Sequence, residues 1–145
     1  MVLHDLGMIK RIFGGTDSPE ELRELYREAM LMTLARATHA DSYTSHVEVE
    51  TVRAVYQHHV GEEISSADVR VAAASDLFET APLEKWLGGV SRRLDEAHCK
   101  SIVKALIEVI HVDGHLRTGE ADFFNMVVGA LRLSPIDIVE ICGAD

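Results

Sequence analysis

Apolar residues recur at helical spacing through nearly the whole chain, and the breaks between the patterns carry cap and turn residues. Residues 2–13 place Leu3, Leu6, Ile9, Ile12 and Phe13 on one stripe, which Gly14-Gly15 ends. The next pattern opens at Ser18-Pro19-Glu20-Glu21. Ser18 can accept from an orphan backbone N–H, Pro19 suits the first helical position, and Glu21 can reach back to the cap. A helix follows to about residue 40, with Leu22, Leu25, Tyr26, Ala29, Thr33, Ala37 and Ala40 on one side. Ser45 and Glu48 form a second capping box ahead of Val52, Val55, Tyr56 and Val60, and Gly61 stops that helix. Ser65 to Asp68 repeats the cap and predicts a short helix through Val69 and Ala72 to Leu77.

Beyond Pro82, the residues Leu83, Trp86, Leu87 and Val90 keep the helical period, weakened by Gly88-Gly89. Trp86 reads as a core residue with its N–H near the surface. From about Leu94 a long pattern runs through Cys99, Ile102, Val103, Leu106, Val109 and Ile110 to Asp113-Gly114, where glycine is a common helix terminator. Phe123, Phe124, Val127, Ala130 and Leu131 mark a further helix. Ser134-Pro135-Ile136-Asp137 caps a last one bearing Ile138, Val139, Ile141 and Cys142. No stretch alternates with the period of a strand, so an all-α fold is expected.

The second half of the chain echoes the first. Laying Leu22 on Leu94 also lays Glu24 on Glu96, Leu34 on Leu106, His39 on His111, Asp41 on Asp113, Glu48 on Glu120 and Val55 on Val127. After a short gap, Ser65 and Asp68 fall on Ser134 and Asp137. Each half therefore reads as long helix, short acidic loop, helix, capped short helix. One such unit cannot bury its own stripe, so the pattern predicts two repeats, about 19–76 and 94–142, packed as a pseudo-symmetric bundle in a single domain over 1–145.

Composition narrows the function classes. The chain holds 145 residues, 47% of them hydrophobic, and 14 Lys plus Arg against 24 Asp plus Glu give a net charge of −10. That balance argues against a nucleic-acid partner, which needs concentrated Lys and Arg, and suits cations or basic partners, or simply keeps the chain soluble. Cys99 and Cys142 make no disulfide framework. No apolar run reaches the roughly 18 residues of a spanning helix. A cytoplasmic protein is expected. Peripheral membrane association through residues 2–13 has only Lys10 and Arg11 as a basic face, and docking of that helix on its own domain is the better reading. The oligomeric state is open.

The candidate chemistry lies in the two repeated loops. Asp41 and Asp113 end long helices, where a carboxylate meets the negative end of the dipole, and Glu48 and Glu120 open the following ones. In a helical hairpin two such carboxylates converge, and loop carbonyls and water would complete an oxygen shell suited to Mg²⁺ or Ca²⁺. His39 and His46 flank the first loop and His111 and His115 the second, which brings Zn²⁺, Mn²⁺ or iron into consideration. Glu108-x-x-His111 also matches the ligand pair of di-iron carboxylate bundles, but its counterpart Arg36-x-x-His39 lacks the carboxylate. The alternative is purely architectural: Glu48 serves the Ser45 cap, and the Asp residues accept N–H bonds within their loops.

The stretch Ile107-Glu108-Val109-Ile110-His111-Val112-Asp113-Gly114, then Glu120, then Val127-Val128-Gly129-Ala130-Leu131-Arg132-Leu133-Ser134 resembles the TerB-like family. Ala37-Thr38-His39-Ala40-Asp41 with Glu48 matches as a first copy, and the resemblance covers about residues 20–142. This family comprises tellurite-resistance-associated helical domains, related also to the N-terminal region of certain membrane-anchored J-domain co-chaperones. The resemblance implies an all-α fold of about seven helices and a role in tellurite or chemical stress. It also implies a divalent-cation site at Asp41, Glu48, Asp113 and Glu120. Ser42 stands where the family usually has Gly, and Arg117 stands where the first copy has Ser45. The reading is thus a non-enzymatic domain that binds a divalent cation weakly and acts through protein partners. The alternatives are a metal-free interaction module and a ferritin-like metalloenzyme.

Overall fold

The computed structural model describes residues 17–38, 48–74, 83–110 and 118–143, with side chains omitted for 118–120, 142 and 143. These residues form seven α-helices and no strand. They are α1 (Pro19–Ala37), α2 (Val49–Val60), α3 (Ser66–Ala73), α4 (Leu83–Ser91), α5 (Glu96–Ile110), α6 (Thr118–Ala130) and α7 (Pro135–Gly143). The stripe at residues 2–13 lies outside the described residues.

Local chemistry sets several boundaries as the pattern predicts. Ser18 Oγ accepts from the Glu21 N–H at 3.2 Å while Glu21 Oε1 accepts from the Ser18 N–H at 3.1 Å, so the capping box opens α1. Ser65 Oγ accepts from the Asp68 N–H at 3.0 Å ahead of α3. Gly61 closes α2 with φ +83°, in the left-handed region that glycine enters without a Cβ clash.

Two boundaries differ from expectation. Helix α2 starts at Val49, and Glu48 has extended backbone (φ −92°, ψ 149°). Glu48 is thus the N-cap itself and cannot be the third helical residue of a Ser45 capping box. Helix α3 stops at Ala73 rather than Leu77, where the Ala74 N–H folds back on the carbonyls of Arg70 and Ala72. Val139, one of the apolar residues that mark the last helix in the sequence, is exposed, as is Ile136.

The core is built around α1 and α5, which pack against each other. Met30 and Leu34 from α1 and Ile102 and Leu106 from α5 have no exposed surface. Ala29, Ala35 and Ala105 are equally buried and keep the helix backbones close. Each fully buried large side chain contributes about 1.5–3 kcal/mol. Helix α2 lies on α1, α3 and α5; α4 packs on α6; α6 and α7 both pack on α5. Val52 and Tyr56 of α2 and Val127 of α6 complete the interior, with Trp86 half-buried against it. The packing of α2 on α5 brings their C-terminal turns together at the candidate site.

Candidate metal centre

Of the predicted acidic residues, Asp41 and Asp113 lie outside the described residues, as do His39, His46, His111 and His115. Glu48 is exposed at the start of α2, and its side chain makes no capping hydrogen bond. Glu120 falls in the first turn of α6 with its side chain undescribed.

A different group of ligating side chains does come together. His58 and His59 occupy the last turn of α2, and Glu108 occupies the last turn of α5. One ligand atom from each lies within 4.8 Å of the other two. His59 Nε2 is in direct hydrogen-bonding contact with Glu108 Oε2, with the His59 side chain 12% exposed. The His58 and His59 rings stand at 90° with centroids 5.1 Å apart, and His58 faces outward.

The electrostatics follow from the helices. Each C-terminus carries unpaired carbonyls equivalent to partial negative charge. Here two such ends meet, and Glu108 adds a full carboxylate where its own helix disfavours one. A bound cation is therefore favoured at this point. The sequence had signalled Glu108 through its spacing to His111. Its described partner is His59, 49 positions away, and no local spacing could announce that.

The other ionic contacts hold the scaffold. Arg27 Nη1 donates to both Glu62 oxygens at 2.9 and 2.8 Å, tying α1 to the turn after α2. Arg53 Nε donates to the Ile64 carbonyl at 2.7 Å and fixes the same turn. A surface hollow of about 460 Å³ lies beside this region, lined by Leu22, Tyr26, Val60 and His98 together with Arg23 and Arg27. Among the described residues its lining includes no carboxylate and shares no residue with the His58–His59–Glu108 group.

A family-level comparison matches residues 27–142 to the family described as Tellurite resistance protein TerB. The chain belongs to the TerB family. The TerB region begins within α1, ends within α7, and contains Glu48, Glu120 and the whole His58–His59–Glu108 group. No curated protein and no solved structure matches the chain. No described helix of this TerB domain is long and apolar enough to cross a membrane.

Proposed function

We propose that this chain is a non-enzymatic TerB domain that holds a divalent cation at its acidic loops and serves a tellurite or chemical-stress response through protein partners. The observation that carries this reading is the family match over residues 27–142, which spans both copies of the Asp/Glu skeleton, Asp41 with Glu48 and Asp113 with Glu120. Two carboxylates per loop, completed by carbonyls and water, suit a hard cation such as Mg²⁺ or Ca²⁺, and so few charges make a weak site. Glu48 supports the assignment because its exposed carboxylate has no capping duty to give up. A cytoplasmic location belongs to the same reading, in keeping with a buried, unpaired Cys99.

The test is a calorimetric titration of the chelator-treated full chain with Mg²⁺, Ca²⁺, Mn²⁺ and Zn²⁺, alongside the Asp41→Asn/Asp113→Asn protein. Saturable binding of Mg²⁺ or Ca²⁺ that the double substitution removes supports the acidic loops. Unchanged affinity in the double variant takes them out of the site.

A metal-free interaction module is the second reading. Ile136 and Val139, one helical turn apart on α7, are 72% and 71% exposed, an apolar pair that no described residue covers. Partner binding that survives both the chelator and the Asp substitutions would favour it.

A further inference from the structure

We propose that His58, His59 and Glu108 form a binding site for a borderline-soft divalent metal ion, Zn²⁺ by preference. The ion would clamp the C-terminal turn of α2 to that of α5. This goes beyond the acidic-loop reading: the residues are different, and so is the class of metal. An all-oxygen loop suits hard cations, whereas two imidazole nitrogens and one carboxylate oxygen suit Zn²⁺.

Three observations converge. The donor set is two histidines and a glutamate, a combination that fills three positions around Zn²⁺ and leaves the fourth to water. The ligand atoms already lie within 4.8 Å of one another. Tetrahedral bonds of about 2.0–2.1 Å set ligand atoms about 3.4 Å apart, so side-chain rotation closes the remaining distance. Finally, two helix C-termini and a carboxylate concentrate negative potential there, which favours a cation.

The degree of exposure places the fourth ligand. His59 is largely covered and already bonded to Glu108, so these two form the inner wall. His58 is exposed and closes the site from the solvent side, which leaves the open position to water. Before metal enters, His59 and Glu108 are hydrogen-bonded to each other; the ion sits between them in place of that bond and recruits His58.

The experiment uses the full chain after chelator treatment, titrated with Zn²⁺ by calorimetry and with Co²⁺ as a visible-absorption probe. The expected result is one saturable Zn²⁺ site of this type, with Co²⁺ bands of a low-coordinate nitrogen/oxygen site. His58→Ala should weaken binding at least about tenfold, the cost of losing even an outer partner of a metal ligand. Its metal-free melting temperature should stay the same, because His58 makes no hydrogen bond to another helix among the described residues. Glu108→Gln should weaken binding as much, with folding checked by circular dichroism. The Asp41→Asn/Asp113→Asn protein should keep this Zn²⁺ site, which separates it from the acidic loops. Absence of saturable Zn²⁺ binding, or wild-type affinity in both His58→Ala and Glu108→Gln, overturns the proposal and leaves His59–Glu108 as a plain interhelical hydrogen bond.

Discussion

Arg93 and Asp17 form a two-pronged ion pair across 76 positions of sequence. Arg93 Nε donates to Asp17 Oδ2 at 2.7 Å and Nη2 donates to Oδ1 at 2.9 Å. The side chains are 21% and 11% exposed, so water screens the pair poorly. It anchors the residue ahead of the α1 cap to the segment that leaves α4. A hydrogen bond to a charged partner is worth about 1.5–3 kcal/mol when its loss strands the other group. Asp17→Asn should therefore cost roughly 2 kcal/mol in denaturant unfolding. A double-mutant cycle with Arg93→Gln should show coupling of about 1 kcal/mol or more. Coupling of only a few tenths would reduce the pair to a passive surface contact.

Thr33 presents the opposite case. Its hydroxyl is fully buried near the C-terminal end of α1 and finds no hydrogen-bond partner among the described residues. Burial of an unmet polar group is unfavourable, and valine has nearly the same shape and the same β-branch. Thr33→Val is expected to raise stability by roughly 1 kcal/mol, a melting temperature higher by about 3 °C. A loss of stability would mean that the hydroxyl is satisfied by a buried water.

What was legible in the sequence follows the range of the interaction. The Ser18–Glu21 box, the Ser65 cap, the Ser134 cap and the Gly61 stop act within three or four residues, and each stands where the pattern puts it. The apolar period likewise identified Leu25, Ala29, Thr33 and Ala37 as one buried face, and Ile102, Val103, Leu106 and Val109 as another. Glu48 misled because Ser-x-x-Glu is a frequent helix opening, while the actual start is one residue beyond the Glu. Arg93–Asp17 and His59–Glu108 were not legible at all, since both arise from helix packing rather than local spacing. The acidic loops, strongest in the sequence, fall mostly outside the described residues.

Arg132 shows a helix stop without its usual residue. Helix α6 ends in a paired motif in which the Leu133 N–H bonds the Val128 carbonyl at 3.2 Å and the Arg132 N–H bonds that of Gly129 at 3.1 Å. This geometry needs a left-handed residue, and Arg132 supplies it with φ +59°. A side chain there costs about 1–2 kcal/mol of backbone strain. Glycine relieves that strain and gives part of the gain back through unfolded-chain entropy. Arg132→Gly should thus stabilise by about 0.5 kcal/mol, and the β-branched Arg132→Val should destabilise by about 1 kcal/mol. The order Gly, Arg, Val in thermal unfolding is the check; Val equal to Arg would contradict the strain.

Asp137 ties stability to acid pH. The Ser134 N–H donates to its Oδ2 at 2.8 Å and the Ser134 hydroxyl at 2.9 Å, while Lys100 Nζ lies 3.4 Å from Oδ1. The two bonds from Ser134, foremost, and then its neighbours including Lys100 hold the carboxyl down at about 2, against an ordinary 3.8. A carboxylate with a lowered folded-state pKa stabilises the fold fully above the unfolded value. That contribution is lost as the pH falls from 3.8 towards about 2, because only the unfolded chain takes up the proton readily in that window. In melting curves recorded across acid pH, Asp137→Asn should lower stability at neutral pH and flatten the decline between those two values. Lys100→Met should flatten it less, since the Ser134 bonds remain. An acid limb that is identical in wild type and Asp137→Asn would show that Ser134 does not hold the carboxylate in solution.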